Sequence, residues 1–408
     1  MASEAFAMDS GFRLFGPEML ADPYPVYHRL RSAHPVSWVA HLDSWVVTSY
    51  EAVCKGLRDP QLSSERFPRI KKRLAAKGLD QLLDERAVSM LHKDPPDHTR
   101  LRGLVNKAFT PRMVEAMENH IQTIVDGLLN AVQAQGHMDV IEDLAYPLPV
   151  TVIAEMLGVP TEDRERLKKW SDDISVVLGG DVASLPEPTF LRVLEARKEL
   201  ADYFRAVIAQ RREIPGQDLL TALVQAEEDG GRLSEDELYS MVILILIAGN
   251  ETTTNLIGNG LLALLRHPDQ MRRVWEDAAL VRPAVEEMLR YDGPVQLTSR
   301  LAKADLQIHG APIQQGQGVY LLLAAANRDP AQFPDPDRFE AGRVENRHVA
   351  FGAGPHFCLG APLARLEAQV VFQTLRRRFP SGMRLETERP EYRNNFNLRG
   401  LKTLPVAF

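Results

Sequence analysis

The chain has 408 residues, 45% hydrophobic and 25% charged, which is enough to bury a large core and too evenly mixed for a disordered protein. Acids outnumber lysine plus arginine by 55 to 48, and the formal charge of −7 argues against nucleic acid or an anionic membrane as the main partner. Two cysteines, Cys54 and Cys358, cannot build a disulfide framework, and the N-terminal residues carry acids without a long apolar run, so a cytoplasmic protein with no signal peptide is expected.

After a loosely ordered start over residues 1–22, residues 23–32 read as a short helix with proline in its first turn. Residues 36–40 and 45–48, rich in β-branched and aromatic side chains, read as a hairpin. Helical periodicity then covers 110–135, 148–157, 162–174, 191–212 and 219–228. Ser234-Glu235-Asp236-Glu237 is a capping-box signature, and the helix it opens runs to about Arg266, before His267-Pro268. The middle of that helix is apolar on nearly every face and should be buried. Its longest apolar run, residues 241–248, is far short of the roughly 20 residues a membrane span needs. Helices at 270–279 and 282–291 follow, then short strands and turns over 295–322, a helix after Cys358, and β structure over 385–408. The sum is mainly α with a minor β part, read as one domain over residues 1–408.

The stretch Phe351-Gly352-Ala353-Gly354-Pro355-His356-Phe357-Cys358-Leu359-Gly360 is glycine-rich and runs into a helix with Pro362 in its first turn. A cysteine there stands beside unpaired backbone N–H groups and the positive end of a helix dipole, both of which favour thiolate. An isolated cysteine is more often a small core residue, and Cys54 is read that way. The pattern Phe-x-x-Gly-x-x-x-Cys-x-Gly resembles the haem-binding loop of cytochromes P450, in particular the soluble bacterial members. That resemblance implies the P450 fold, with a long central helix above haem b and the cysteine loop beneath it. It implies Cys358 as the axial iron ligand, with Phe351 beside the sulfur and Gly360 next to the cofactor.

Other segments carry the same resemblance. Glu287-x-x-Arg290 is by itself an ordinary i,i+3 ion pair. With Arg338 downstream it is similar to the family's buried network that fastens the cysteine loop. Ala248-Gly249-Asn250-Glu251-Thr252-Thr253 puts poor helix formers into the long helix, where a kink or a threonine hydroxyl bonded to the preceding turn would explain them. The resemblance gives Ala248 and Gly249 the role of leaving room for dioxygen, Glu251 that of the acid and Thr252 that of the hydroxyl in a proton relay; Asn250 receives none. His98 and Arg102, four apart, share a helix face. With Arg300 and His356 they are implied to hold the two haem propionates.

A substrate pocket is implied at Leu82, Val88, Ile243, Ile247, Ala248, Val295, Leu297 and Phe396. The implied reaction is oxygenation, as hydroxylation or epoxidation, of a lipophilic molecule such as a fatty acid, terpene, steroid or macrolide-like compound. The chain shows no GxGxxG motif, so NAD(P)H would act indirectly, through a separate ferredoxin or flavodoxin and its reductase. Arg100, Arg343, Arg347 and Arg365 are candidate docking contacts for that donor. A monomer without nucleic-acid or membrane partners is expected. A peroxygenase or nitric-oxide reductase on the same fold, or a non-catalytic haem sensor, are the alternatives. The Glu251–Thr252 pair speaks against the peroxygenase.

Overall fold

The computed structural model describes residues 16, 18–82, 89–176, 185–228 and 233–408. Val88, the side chain of Leu82, and most of residues 1–17 lie outside the described residues. Within the expected loose start, α1 (Glu18–Ala21) is helical, and Arg399 donates to the Leu20 and Ala21 carbonyls.

α2 (Tyr24–Ala33) leads into the antiparallel pair β1 (Val36–Val39) and β2 (Ser44–Val47), where the Trp38 ring meets the edge of Trp45 at 5.5 Å. α3 (Tyr50–Gly56), β3 (Leu62–Ser63), α4 (Phe67–Ala75) and α5 (Asp97–Ala108) follow. The helix expected over 110–135 is two: α6 (Pro111–Ala116), capped by Thr110, and α7 (Glu118–Val132), with the joint at Met117. The apolar period runs through the joint, so it does not reveal the break. β4 (His137–Asp139), α8 (Pro147–Met156), α9 (Arg164–Ser175), α10 (Glu187–Glu213) and α11 (Leu219–Glu228) complete the first half.

α12 (Glu235–Arg266) forms where the sequence signals it. The Ser234 hydroxyl accepts the Glu237 N–H, and the Glu237 carboxylate accepts the Ser234 N–H at 2.7 Å. Its composition would suffice to cross a membrane, but 72% of its most apolar window is buried inside the protein. It packs against α8, α9, α10, α14 (Val281–Asp292) and α16 (Ala361–Arg378), and Ile257, Leu261 and Leu264 are wholly enclosed. Each such side chain contributes about 1.5–3 kcal/mol of burial free energy.

α13 (Pro268–Glu276) lies between α12 and α14 in sequence. Beyond α14 come β5 (Thr298–Ala302), β6 (Leu306–Ile308), β7 (Ala311–Ile313), β8 (Gly318–Leu321) and the one-turn α15 (Leu323–Ala326). The main sheet has the order β1-β2-β8-β5-β3, with β2 and β8 parallel and the other pairs antiparallel. Of the expected C-terminal β structure, β9 (Arg384–Leu385) and β10 (Pro405–Ala407) join β4 in a small sheet, and Leu398 and Leu401 form single bridges to Val295 and Tyr392.

Candidate haem-thiolate site

The cysteine loop is closed by its own backbone. The Cys358 N–H donates to the Phe351 carbonyl at 2.9 Å, and α16 starts three residues later with proline in its first turn. Gly354 has φ 71°, and a Cβ there would stand 2.8 Å from the Leu57 carbonyl oxygen, so only glycine fits. Beside the sulfur a Cβ on Gly360 would meet nothing, which leaves that surface open to a flat group. Burial pushes the Cys358 thiol up, while the Gly360 and Ala361 N–H groups and the charges of Arg102 and Arg365 pull it back toward thiolate. Among the described residues no three His, Cys, Asp or Glu side chains cluster as metal ligands. Iron held by Cys358 must therefore bring its remaining ligands with it, as a macrocycle does.

A rim of cations gathers next to this loop. The His98 and His356 rings lie 4.1 Å apart, and Arg300 is buried with its guanidinium on Thr298 Oγ1 and the Ser299 carbonyl, both at 2.9 Å. Burial, then the charges of His98 and Arg300, push His356 down to about 3. Burial and Arg102 lower His98. Both rings can donate and accept hydrogen bonds at this rim. Arg66, missed by sequence reasoning, joins them: it donates to Ser299 Oγ at 2.8 Å, its Nε lacks a partner, and its charge depresses Arg300, which burial already holds down to about 10. His98 Nδ1 is also buried without a partner. So many donors around so few carboxylates fit an anionic group such as a pair of propionates.

The network behind the loop differs from expectation in one member. Glu287 is fully buried and takes Arg290 on both oxygens at 2.8 Å. Its second guanidinium is Arg343, with Nε at 3.2 and 3.1 Å from the two oxygens. Arg338 is exposed and lends only its carbonyl, which accepts from Arg290 and Arg343. The loop's path from Pro334 to Asn346 turns the later arginine inward. Asn346 Nδ2 and the Glu340 N–H also donate to Glu287. Arg343 is therefore no docking contact. Arg365 holds Glu286 with two bonds and covers the Phe351 ring at 4.5 Å, and Arg100 pairs with Glu237. Of the four docking candidates, Arg347 is exposed, and Phe357 is an exposed aromatic beside the cysteine.

In α12, Thr252 Oγ1 donates to the Ala248 carbonyl at 2.7 Å, the back-bond that bends helices. Ala248 is exposed within a helix otherwise buried almost all round, so it faces an interior space. At Gly249 a Cβ would stand 2.8 Å from Ile153 Cδ1, so the glycine also lets α12 approach α8. Glu251 is buried, its Oε2 has no partner, and burial raises its carboxyl despite a Ser175 hydrogen bond and the charge of Arg393. Asn250, given no role from sequence, donates to Ser171 Oγ at 3.2 Å. Of the pocket residues, Ile243, Ile247 and Leu297 are buried; Val295 bridges Leu398, and Phe396 is half-buried on the same C-terminal turn.

A cysteine at a helix start, an unneutralised basic rim and a buried helix with an exposed alanine and a back-bonded threonine at its middle define a haem-thiolate protein. The family model for cytochrome P450 matches residues 37–405. Cytochrome P450 CYP107DY1 of Priestia megaterium is 46% identical over 321 residues, covering 78% of this chain and 77% of that protein. 6-Deoxyerythronolide B hydroxylase of Saccharopolyspora erythraea is 40% identical, covering 94% and 96%. The crystal structure of myxobacterial cytochrome P450 CYP267B1 in complex with myristic acid superposes with a TM-score of 0.88 at 43% identity, covering 97% of this chain and 98% of that one. The chain belongs to the cytochrome P450 family and is a P450 monooxygenase.

Proposed function

We propose that the protein binds haem b through Cys358 and inserts one atom of dioxygen into a lipophilic substrate, reducing the other to water with two electrons and two protons. The electrons come from NAD(P)H through a separate ferredoxin or flavodoxin and its reductase. Two observations carry the reading: a cysteine sulfur with two backbone N–H groups aimed at it, and, on α12, a buried carboxyl adjacent in sequence to a threonine hydroxyl.

The haem, when bound, supplies the activation of dioxygen. The chain supplies position and protons. His98, Arg102, Arg300 and His356, with Arg66, hold the propionates by hydrogen bonds and charge. Glu287, Arg290 and Arg343 fix the loop that presents Cys358. Glu251 Oε2, without a protein partner, holds a proton for the site, and the Thr252 hydroxyl, which donates to the Ala248 carbonyl, keeps its oxygen free to accept a hydrogen bond there. Ile243, Ile247, Leu297 and Phe396 give the pocket an apolar wall that excludes water.

The similarity to a macrolide-precursor hydroxylase and to a structure holding myristic acid supports a substrate that is a long-chain acid or a polyketide-derived ring. The test is turnover with isotopically labelled dioxygen, NADPH, ferredoxin and reductase on a panel of both classes. One labelled oxygen atom per product is expected. Product formed only with added peroxide, and unlabelled by dioxygen, would overturn the monooxygenase reading.

A further inference from the structure

Buried polar atoms without a protein partner are concentrated on one helix. Among the described residues twelve such side-chain atoms occur, and five of them sit on α12: Asn250 Oδ1, Glu251 Oε2, both amide atoms of Asn255, and Asn259 Oδ1. Glu251, Asn255 and Asn259 are successive i,i+4 positions, so they share one face of the helix. Asn255 is wholly buried, and an amide that donates and accepts nothing there is costly unless water serves it. Buried water typically needs two to four polar partners, which this row provides.

The row leads toward the surface at the C-terminal turn. A Cβ on Gly400 would stand 1.8 Å from Asn255 Oδ1, so the turn's backbone presses directly on the amide. Asn259 Nδ2 donates to the Arg399 and Asp292 carbonyls at 3.0 and 3.2 Å, tying α12 to the same turn. Gly400 also lines a crevice, together with Tyr392, Arg393, Phe396 and Arg399. Arg393 faces both ways, since its charge acts on Glu251 and on Asp172 of α9.

We propose that Asn255 is a positioning residue in a hydrated path that returns a proton to Glu251 Oε2 from the crevice at Arg393 and Gly400. The path rests on Glu251 being the acid of the relay. Each turnover takes a proton from that carboxyl, leaving carboxylate. Water hydrogen-bonded between the crevice and the Asn255 amide delivers a proton from bulk, and only O–H bonds are made or broken. A side chain at position 400 would collide with the Asn255 amide and displace it from the path. The groups facing Glu251 from other elements are Ser175 and Asp172 on α9, the latter bonded by Tyr146, and Arg393 from the C-terminal turn. Asp172 marks the competing entrance.

The test follows the infrared carboxyl band of protonated Glu251 in the haem-loaded protein, assigned by its loss in Glu251→Gln, and times its shift after transfer into D2O. Asn255→Leu and Gly400→Ala are each expected to slow that exchange roughly tenfold or more, and to raise the solvent isotope effect on product formation. Asn255→Ser, which keeps a polar group and adds space, should restore the wild-type rate. Replacing an unserved amide by an apolar side chain of similar size leaves the melting temperature near that of wild type, and Gly400→Ala displaces the same amide from the side of the turn while keeping its polar atoms. Exchange at the wild-type rate in both variants, or slowing by Asp172→Asn in their place, would overturn the path while leaving Glu251 as the acid. Unchanged coupling in Glu251→Gln would remove Glu251 from the relay, and the path with it.

Discussion

Arg343 and Glu287 form the ion pair that ties the loop leading to Cys358 onto α14, with Nε 3.2 and 3.1 Å from the two carboxylate oxygens and side chains only 7% and 0% exposed. The pair is closed by Arg290, which also donates to the Asn327 and Pro336 carbonyls, while Asn327 Oδ1 accepts the Val349 N–H at 2.7 Å just before the cysteine loop.

Removing one partner leaves Glu287 buried and under-compensated, so Arg343→Met should cost about 3–5 kcal/mol and reduce haem retention. Arg338→Ala, at an exposed side chain, should stay within about 0.5 kcal/mol of wild type. Denaturant titration of the haem-loaded proteins distinguishes the two. Equal losses in both variants would contradict the assignment.

How much of this was legible depended on the distance over which each feature is decided. α12 is marked at both ends by local chemistry, Ser234 with Glu237 and His267 with Pro268, and the structure follows those marks. The Cys358 loop is a ten-residue pattern and was equally readable. The choice of Arg343 over Arg338 is made by the path of a loop folded against α14, which residue spacing does not encode. Arg66 joins the cation rim only because β3 and α4 bring it beside Ser299 on β5, a contact 233 residues apart in sequence. The close approach of α12 to α8 at Gly249 is likewise hidden in the sequence, since its neighbour Ile153 lies on another helix.

Glu367 on α16 is fully enclosed, its Oε2 has no partner, and burial raises its carboxyl well above the ordinary range. In the unfolded chain it ionises at the usual carboxylate pKa; in the folded protein burial shifts that ionisation upward. Between those two values the folded state binds more protons, so stability falls as pH rises, at about 1.4 kcal/mol per pH unit. Below the unfolded pKa this cost is absent. Glu367→Gln should remove the slope and raise the melting temperature at pH 8 relative to wild type. Parallel melting curves for both proteins from pH 5 to pH 8 would show the carboxyl to be ionised in the fold.

Thr252→Ala removes the hydroxyl beside Glu251 and the back-bond to Ala248. Electron consumption should continue while product per NADPH falls and peroxide rises. Glu251→Gln should slow product formation by about 10²-fold, at the lower end of what a positioned acid contributes. Thr252→Ser, which keeps the oxygen, should recover most of the coupling. Peroxide and product measured side by side against NADPH consumed give the result directly, and unchanged coupling in Thr252→Ala would take Thr252 out of the proton path.

The central claim is thiolate ligation by Cys358, and the most direct measurement is the absorbance spectrum of the reduced protein under carbon monoxide, for wild type and Cys358→His. Thiolate ligation predicts a Soret band at the long wavelength particular to a sulfur anion in wild type, and its loss, with haem still bound, in the variant. A well-folded wild-type protein whose band lies at the shorter wavelength of haem bound by a neutral ligand would contradict it.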